Sequence, residues 1–140
     1  HGDRSCGLLG GLEWTVTHSP HLIIVEIGGN YGLRGFPHDD TLADLGAILY
    51  RLNDAQIPVL LAGMRAPRNM GHSYASSFDA IYPRLAKKHK VALYPFFLEG
   101  VALVPALNQA DGIHPNASGV AVIVERIMPF VESLLLPPVK

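Results

Sequence analysis

A three-layer α/β/α domain on a parallel sheet is the architecture this sequence predicts, and three observations predict it. Short runs of Val, Ile and Leu recur three times, helical periodicities alternate with them, and the connections have the length of strand–helix crossovers. The runs are "HLIIVEI" (21–27), "IPVLLAG" (57–63) and "KVALYPF" (90–96), continuous rather than alternating, as in strands covered on both faces. Of the helical segments, "TLADLGAILYRLNDAQ" (41–56) aligns Leu42, Leu45, Leu49 and Leu52, with Asp39 or Asp40 as N-cap. "SSFDAIYPRLAKKH" (76–89) aligns Phe78, Ile81, Tyr82 and Leu85 and ends in basic residues, where the helix dipole favours them. The apolar segment 117–136 predicts a long helix bent near Pro129. Residues 6–17 predict a weaker helix, because each glycine there costs about 1 kcal/mol against alanine.

At 140 residues and 49% hydrophobic composition, the chain supports one core, hence a single domain over 1–140 with a frayed tail at 137–140. A net charge of −1 without a Lys/Arg cluster excludes a surface shaped for nucleic acid. No apolar run is long enough to span a membrane. The single cysteine, Cys6, rules out an internal disulfide and a Cys-based zinc site, and reads as a small apolar helix residue. The seven histidines show no metal-ligand spacing, so neither a metal nor another cofactor is expected.

Ligands of open parallel sheets sit beyond the carboxyl ends of the strands. Here those ends lead into 28–35, 64–74 and 97–116, which brings Asn30 towards Asp111 and His114. In "DGIHPNASG" (111–119) the spacing lets a carboxylate fix an imidazole tautomer, and Pro115 holds His114 out of helical geometry. The same pattern also fits an aspartate that only stabilises a turn beside a surface histidine. Asn30 follows a strand through two glycines, so its amide could face a developing oxyanion or merely cap the loop. Gly2 precedes the first helix, where a backbone N–H can point at an anion. Glu26, an acid within a strand, either faces a helix edge or holds Arg34 or Arg65 as a structural partner.

Taken together, "IIVEIGGNYGLRGFP", "APRNMGHSYASSFDAIYPRLAKKHKVALYPFFLEGVA" and "LNQADGIHPNASG" resemble the SGNH (GDSL) hydrolases, in the branch of acyl-CoA thioesterase I, lysophospholipase and arylesterase. The resemblance runs from residue 2 to about residue 135. It implies a flavodoxin-like fold and an esterase with a Ser–His–Asp triad, in which Asp111 is the acid and His114 the general base. Gly2 and Asn30 match the family's oxyanion-hole donors. An acyl ester or thioester is the implied substrate, and a bacterial periplasmic or secreted location fits the branch. Tyr31, Met64, Met70, Phe97, Leu98 and Leu103 are expected along the acyl pocket.

Two departures stand out. Tyr31 occupies the place where the family has an aspartate after Gly-Gly-Asn, and the Gly-Asp-Ser-Leu block with the nucleophile is not in the sequence. The chain thus reads as lacking its first βα unit, roughly 30 residues. Because the family's first strand lies between two others, its loss would strand backbone donors and acceptors inside an apolar layer. A separate N-terminal segment, a partner copy or a rearranged sheet would answer that deficit. A non-catalytic fragment retaining the acyl cleft is the alternative reading, and Ser5 is a substitute nucleophile to be tested.

Overall fold

The computed structural model describes residues 5–35 and 37–136, with side chains from residue 11 onward. Three strands, β1 (Ile23–Glu26), β2 (Val59–Ala62) and β3 (Ala92–Tyr94), form a parallel sheet in that spatial order. Register pairs Ile23 with Val59 and Glu26 with Ala62, then Leu60 with Ala92 and Ala62 with Tyr94. Each strand is shorter than its apolar run because pairing ends where the chain turns into the loops.

Only β2 is buried along its whole length. On one face, Val25, Val59 and Leu61 pack against Leu12 of α1 (Ser5–Thr17), Leu45, Ile48, Leu49 and Leu52 of α3 (His38–Asp54), and Phe78, Ile81, Tyr82 and Leu85. The opposite face carries Leu60 and Tyr94 against Ile127 of α6 (Ala117–Leu135). Burying side chains of this size stabilises by about 1.5–3 kcal/mol each, which fixes the strands between two helical layers. Since α6 covers β2 and β3, Ile24 on that face of β1 stays 44% exposed and Glu26 is also exposed. The expectation that all three strands are covered on both faces therefore fails at β1.

Helix boundaries show what periodicity could not. α3 begins three residues before the predicted start, and its N-cap is Pro37 without a side-chain bond. Asp39 and Asp40 lie instead inside the first turn, where their charge faces the positive end of the helix dipole. The predicted helix 76–89 is two helices, α4 (His72–Asp79) and α5 (Ile81–His89). Pro83 explains the break, because it has no N–H for the Asp79 carbonyl and its ring crowds that oxygen. α6 does run through Pro129. α1 forms as expected and is tied to α3 by Arg51, which donates to both carboxylate oxygens of Glu13 at 2.6 and 2.9 Å. No helix among the described residues is long and apolar enough to cross a membrane.

Gly63, just past β2, carries the sheet into its loops. Its N–H donates to Tyr94 O and its carbonyl accepts from Phe97 N, both at 2.8 Å. A β-carbon there would collide with the carbonyl oxygen of Pro95, a backbone atom with no freedom to move aside. Gly63→Ala is accordingly expected to destabilise the fold by about 1–3 kcal/mol, read as a lower urea midpoint with an unchanged slope.

Candidate active site

Asp111 and His114 meet in one tight turn after β3. The Asp111 Oδ1 accepts from the N–H groups of Ile113 and His114 at 2.9 and 3.0 Å, while Nδ1 of His114 bonds Oδ2 at 2.7 Å. Because the carboxylate can only accept, Nδ1 carries the hydrogen and Nε2 is left as a base. Both side chains are solvent-accessible. The His114 backbone N–H, then its imidazole, then the Ile113 N–H hold the Asp111 carboxyl down at a pKa of about 2. The turn-stabilising and imidazole-orienting roles of Asp111, alternatives in the sequence, are filled at once by its two oxygens.

Three polar side chains clamp this turn. Asn108, buried, donates to the carbonyls of Val101 and Val104 at 2.7 and 2.8 Å. Gln109 N–H donates to His114 O at 2.7 Å, and its side chain donates to Pro115 O at 3.1 Å. Asn116 donates to Ala106 O and Asn108 O, and its Oδ1 accepts from Gly119 N at 3.0 Å as the N-cap of α6. The cap was open to a reading of the sequence, since an asparagine precedes the apolar run. The contacts of Asn108 and Gln109 have no such signal.

Asn30 reaches the same cleft from the other side. Gly28, at φ 118°, turns the chain out of β1 into the short helix α2 (Gly29–Arg34). Asn30 in its first turn and His114 both line a cleft of about 1180 Å³ at the carboxyl edge of the sheet. Tyr31, Met64, Phe97, Leu98 and Leu103 also line it. Met70 does not: it lies in a short 3-10 turn (Arg68–Met70) and its methyl group packs against Gly35. Asp79 holds the preceding part of this loop, accepting from Ala66 N at 3.0 Å and from Arg68 at 2.9 Å, and both of those residues line the cleft.

Glu26 also lines the cleft, but neither Arg34 nor Arg65 is bonded to it among the described ion pairs. Arg65 lies over the Phe96 ring and 4.0 Å from Glu99. Although Glu26 as a residue is exposed, the atoms around its carboxyl desolvate it enough to push its pKa up. Gly2 and the side chain of Ser5 lie outside the described residues, as does the tail 137–140. Among the described residues no group of three or more His, Cys, Asp or Glu could hold a metal ion.

The sequence profile of the GDSL-like Lipase/Acylhydrolase family matches residues 1–122. Over 99 residues the chain is 48% identical to the Thioesterase 1/protease 1/lysophospholipase L1 of Escherichia coli, covering 71% of this chain and 48% of that protein. Against Esterase TesA of Pseudomonas aeruginosa it is 37% identical over 135 residues, covering 96% of this chain and 67% of that one. The chain thus spans about half to two thirds of the length of these relatives. The crystal structure of TesA superposes with a TM-score of 0.88 at 37% identity, over 96% of this chain and 75% of that chain. AlinE4, an SGNH-hydrolase family esterase, gives 0.72 at 42% identity, over 97% and 74%.

Asn116→Ala removes a helix cap and two loop bonds, and should cost about 1–3 kcal/mol in urea unfolding. Asp111 is predicted to titrate at about 2 in the folded protein, against an ordinary 3.8. Since its pKa is depressed on folding, its stabilising contribution is complete above 3.8 and is lost as pH falls from there through about 2. Carboxyl-carbon NMR checks this. In His114→Ala the inflection should rise only part of the way to 3.8, because the N–H of residue 114 remains.

Proposed function

The chain belongs to the GDSL-like lipase/acylhydrolase family, and on that premise we propose that it supplies the acid–base and oxyanion parts of a carboxylic-ester hydrolase. The observation that carries this reading is the 2.7 Å bond from His114 Nδ1 to Asp111, which leaves Nε2 free at the rim of a cleft that Asn30 also lines. A serine on a segment upstream of His1 would complete the triad. His114 Nε2 takes the serine proton as the oxygen attacks the acyl carbonyl, and Asp111 stabilises the imidazolium without taking a proton. The Asn30 amide and the Gly2 N–H donate to the oxyanion. His114 then protonates the leaving group, and water activated by the same nitrogen releases the acid from the acyl-serine.

An upstream segment agrees with the greater length of the relatives and with the open side of β1. Strand β1 has no neighbour on its outer edge among the described residues, and Ile24 on its face is exposed. Val120, Val124 and Met128, one stripe of α6 at helical spacing, are exposed as well. These are the surfaces a further strand and helix would cover.

The substrate is an acyl ester or thioester. Met64, Phe97, Leu98 and Leu103 suit an apolar acyl or aryl group, and the relatives are called thioesterase, lysophospholipase, esterase and arylesterase. With Asp111 ionised down to a pH of about 2, its protonation does not set the acid limb of activity near neutrality.

The test is hydrolysis of p-nitrophenyl and thioester acyl substrates by the full-length protein. His114→Ala should lower kcat by about 10³-fold or more, and Asn30→Ala by about 10²–10³-fold. Retention of full activity by His114→Ala would overturn the mechanism.

A further inference from the structure

A six-residue helix does not hold its shape alone, because nucleation consumes most of what so few hydrogen bonds return. α2 has no side-chain cap at its start, and yet it presents Asn30. Its position is set from outside, largely by tyrosine hydroxyls. Tyr82, buried on α5, donates to the carbonyl of Ile27 at 2.9 Å, just before the helix. Tyr74 on α4 donates to the carbonyl of Tyr31 at 3.3 Å. Gly28 and Gly32 let this segment lie directly on the Tyr82 hydroxyl and the Phe78 ring. Asn30 is therefore flanked by two anchored carbonyls.

The third hydroxyl belongs to α2 itself. Tyr31 donates to Asp44 Oδ2 at 2.9 Å, joining α2 to the middle of α3 in a partly buried contact at the cleft wall. α3 is rigidly seated, with Leu45, Ile48 and Leu49 beside Asp44 in the core. The bond thus transfers the fixed position of α3 to the residue next to Asn30. A tilt of α2 about its two carbonyl anchors would carry the Asn30 amide across the cleft, and the link to α3 opposes it.

We infer that Tyr31, held by Asp44, is the positioning residue that fixes the Asn30 amide at the site of the developing oxyanion. The inference rests on the reading of Asn30 as an oxyanion donor. Tyr31 touches neither the carbonyl nor the imidazole in this scheme; it acts through Asn30. Misplacing a preorganised group by a fraction of an ångström lowers rate without comparable loss of ground-state binding, so the effect belongs in kcat rather than KM.

The experiment compares Tyr31→Phe, Asp44→Ala and Asp44→Asn in the full polypeptide, each alone and combined with Asn30→Ala, with p-nitrophenyl ester hydrolysis and thermal unfolding as readouts. Tyr31→Phe and Asp44→Ala should each lower kcat about tenfold with KM changed less than about twofold, and the pair together should lose no more than either alone. Asp44→Asn, which keeps an acceptor oxygen, should restore most of the rate. On the Asn30→Ala background, none of the three should cost anything further. An unchanged kcat in Tyr31→Phe, or the same loss with and without Asn30, would overturn the inference while leaving the hydrolase reading intact. If Asn30→Ala alone leaves kcat unchanged, the oxyanion reading of Asn30 is wrong and this inference falls with it. A purely structural bond would lower the melting temperature and leave kcat unmoved.

Discussion

Burial of β2 on both faces is the constraint from which the site follows. A four-residue strand with every side chain enclosed has one register and one height between its helical layers, and β1 and β3 are paired to it residue by residue. Register places Glu26, Ala62 and Tyr94 side by side, so the three carboxyl ends finish at one level, and Gly63 ties the exit of β2 to Tyr94 and Phe97. The two sides of the cleft, α2 and the loop of His114, are thereby brought to one edge of the sheet. Hydrophobic burial sets the frame, and hydrogen bonds only trim what the frame has brought near.

The polar residues that trim it divide into two sets with different partners. Around Asp111 and His114, Asn108, Gln109 and Asn116 bond to backbone carbonyls of their own loop, so that turn is self-contained. Around Asn30, phenol hydroxyls link the segment to other helices, two carried by Tyr74 and Tyr82 on α4 and α5 and one by Tyr31 reaching out to α3. One side of the cleft is organised locally and the other by the tertiary packing of α3, α4 and α5. Sequence changes far along the chain from Asn30 can therefore reach it, whereas His114 answers mostly to residues within a dozen positions.

That division explains what was legible in the sequence. Apolar runs located all three strands, and the leucine stripe of α3 located its buried face, since both depend on local spacing. The Asp-x-x-His-Pro pattern was legible for the same reason: its geometry is made within one turn. The cut between α4 and α5 lay hidden behind a continuous apolar periodicity, although Pro83 was visible as its cause. Met70 resisted a reading for a different reason, because its methyl group packs against Gly35, a contact between two loops that local spacing does not encode. Likewise Tyr31 looked like a departure from a family pattern until Asp44, thirteen residues on, showed what its hydroxyl does.

Asn116 has a consequence for how the site opens. One side chain closes the loop of His114 onto Ala106 and Asn108 and also caps the first turn of α6. Neither part can fray without exposing polar groups of the other, so the His114 turn and the start of α6 form one cooperative unit against local unfolding. Amide protons at Asn116, Gly119 and Val120 should then exchange together, with a single opening free energy, and the imidazole keeps its place for as long as the helix keeps its first turn.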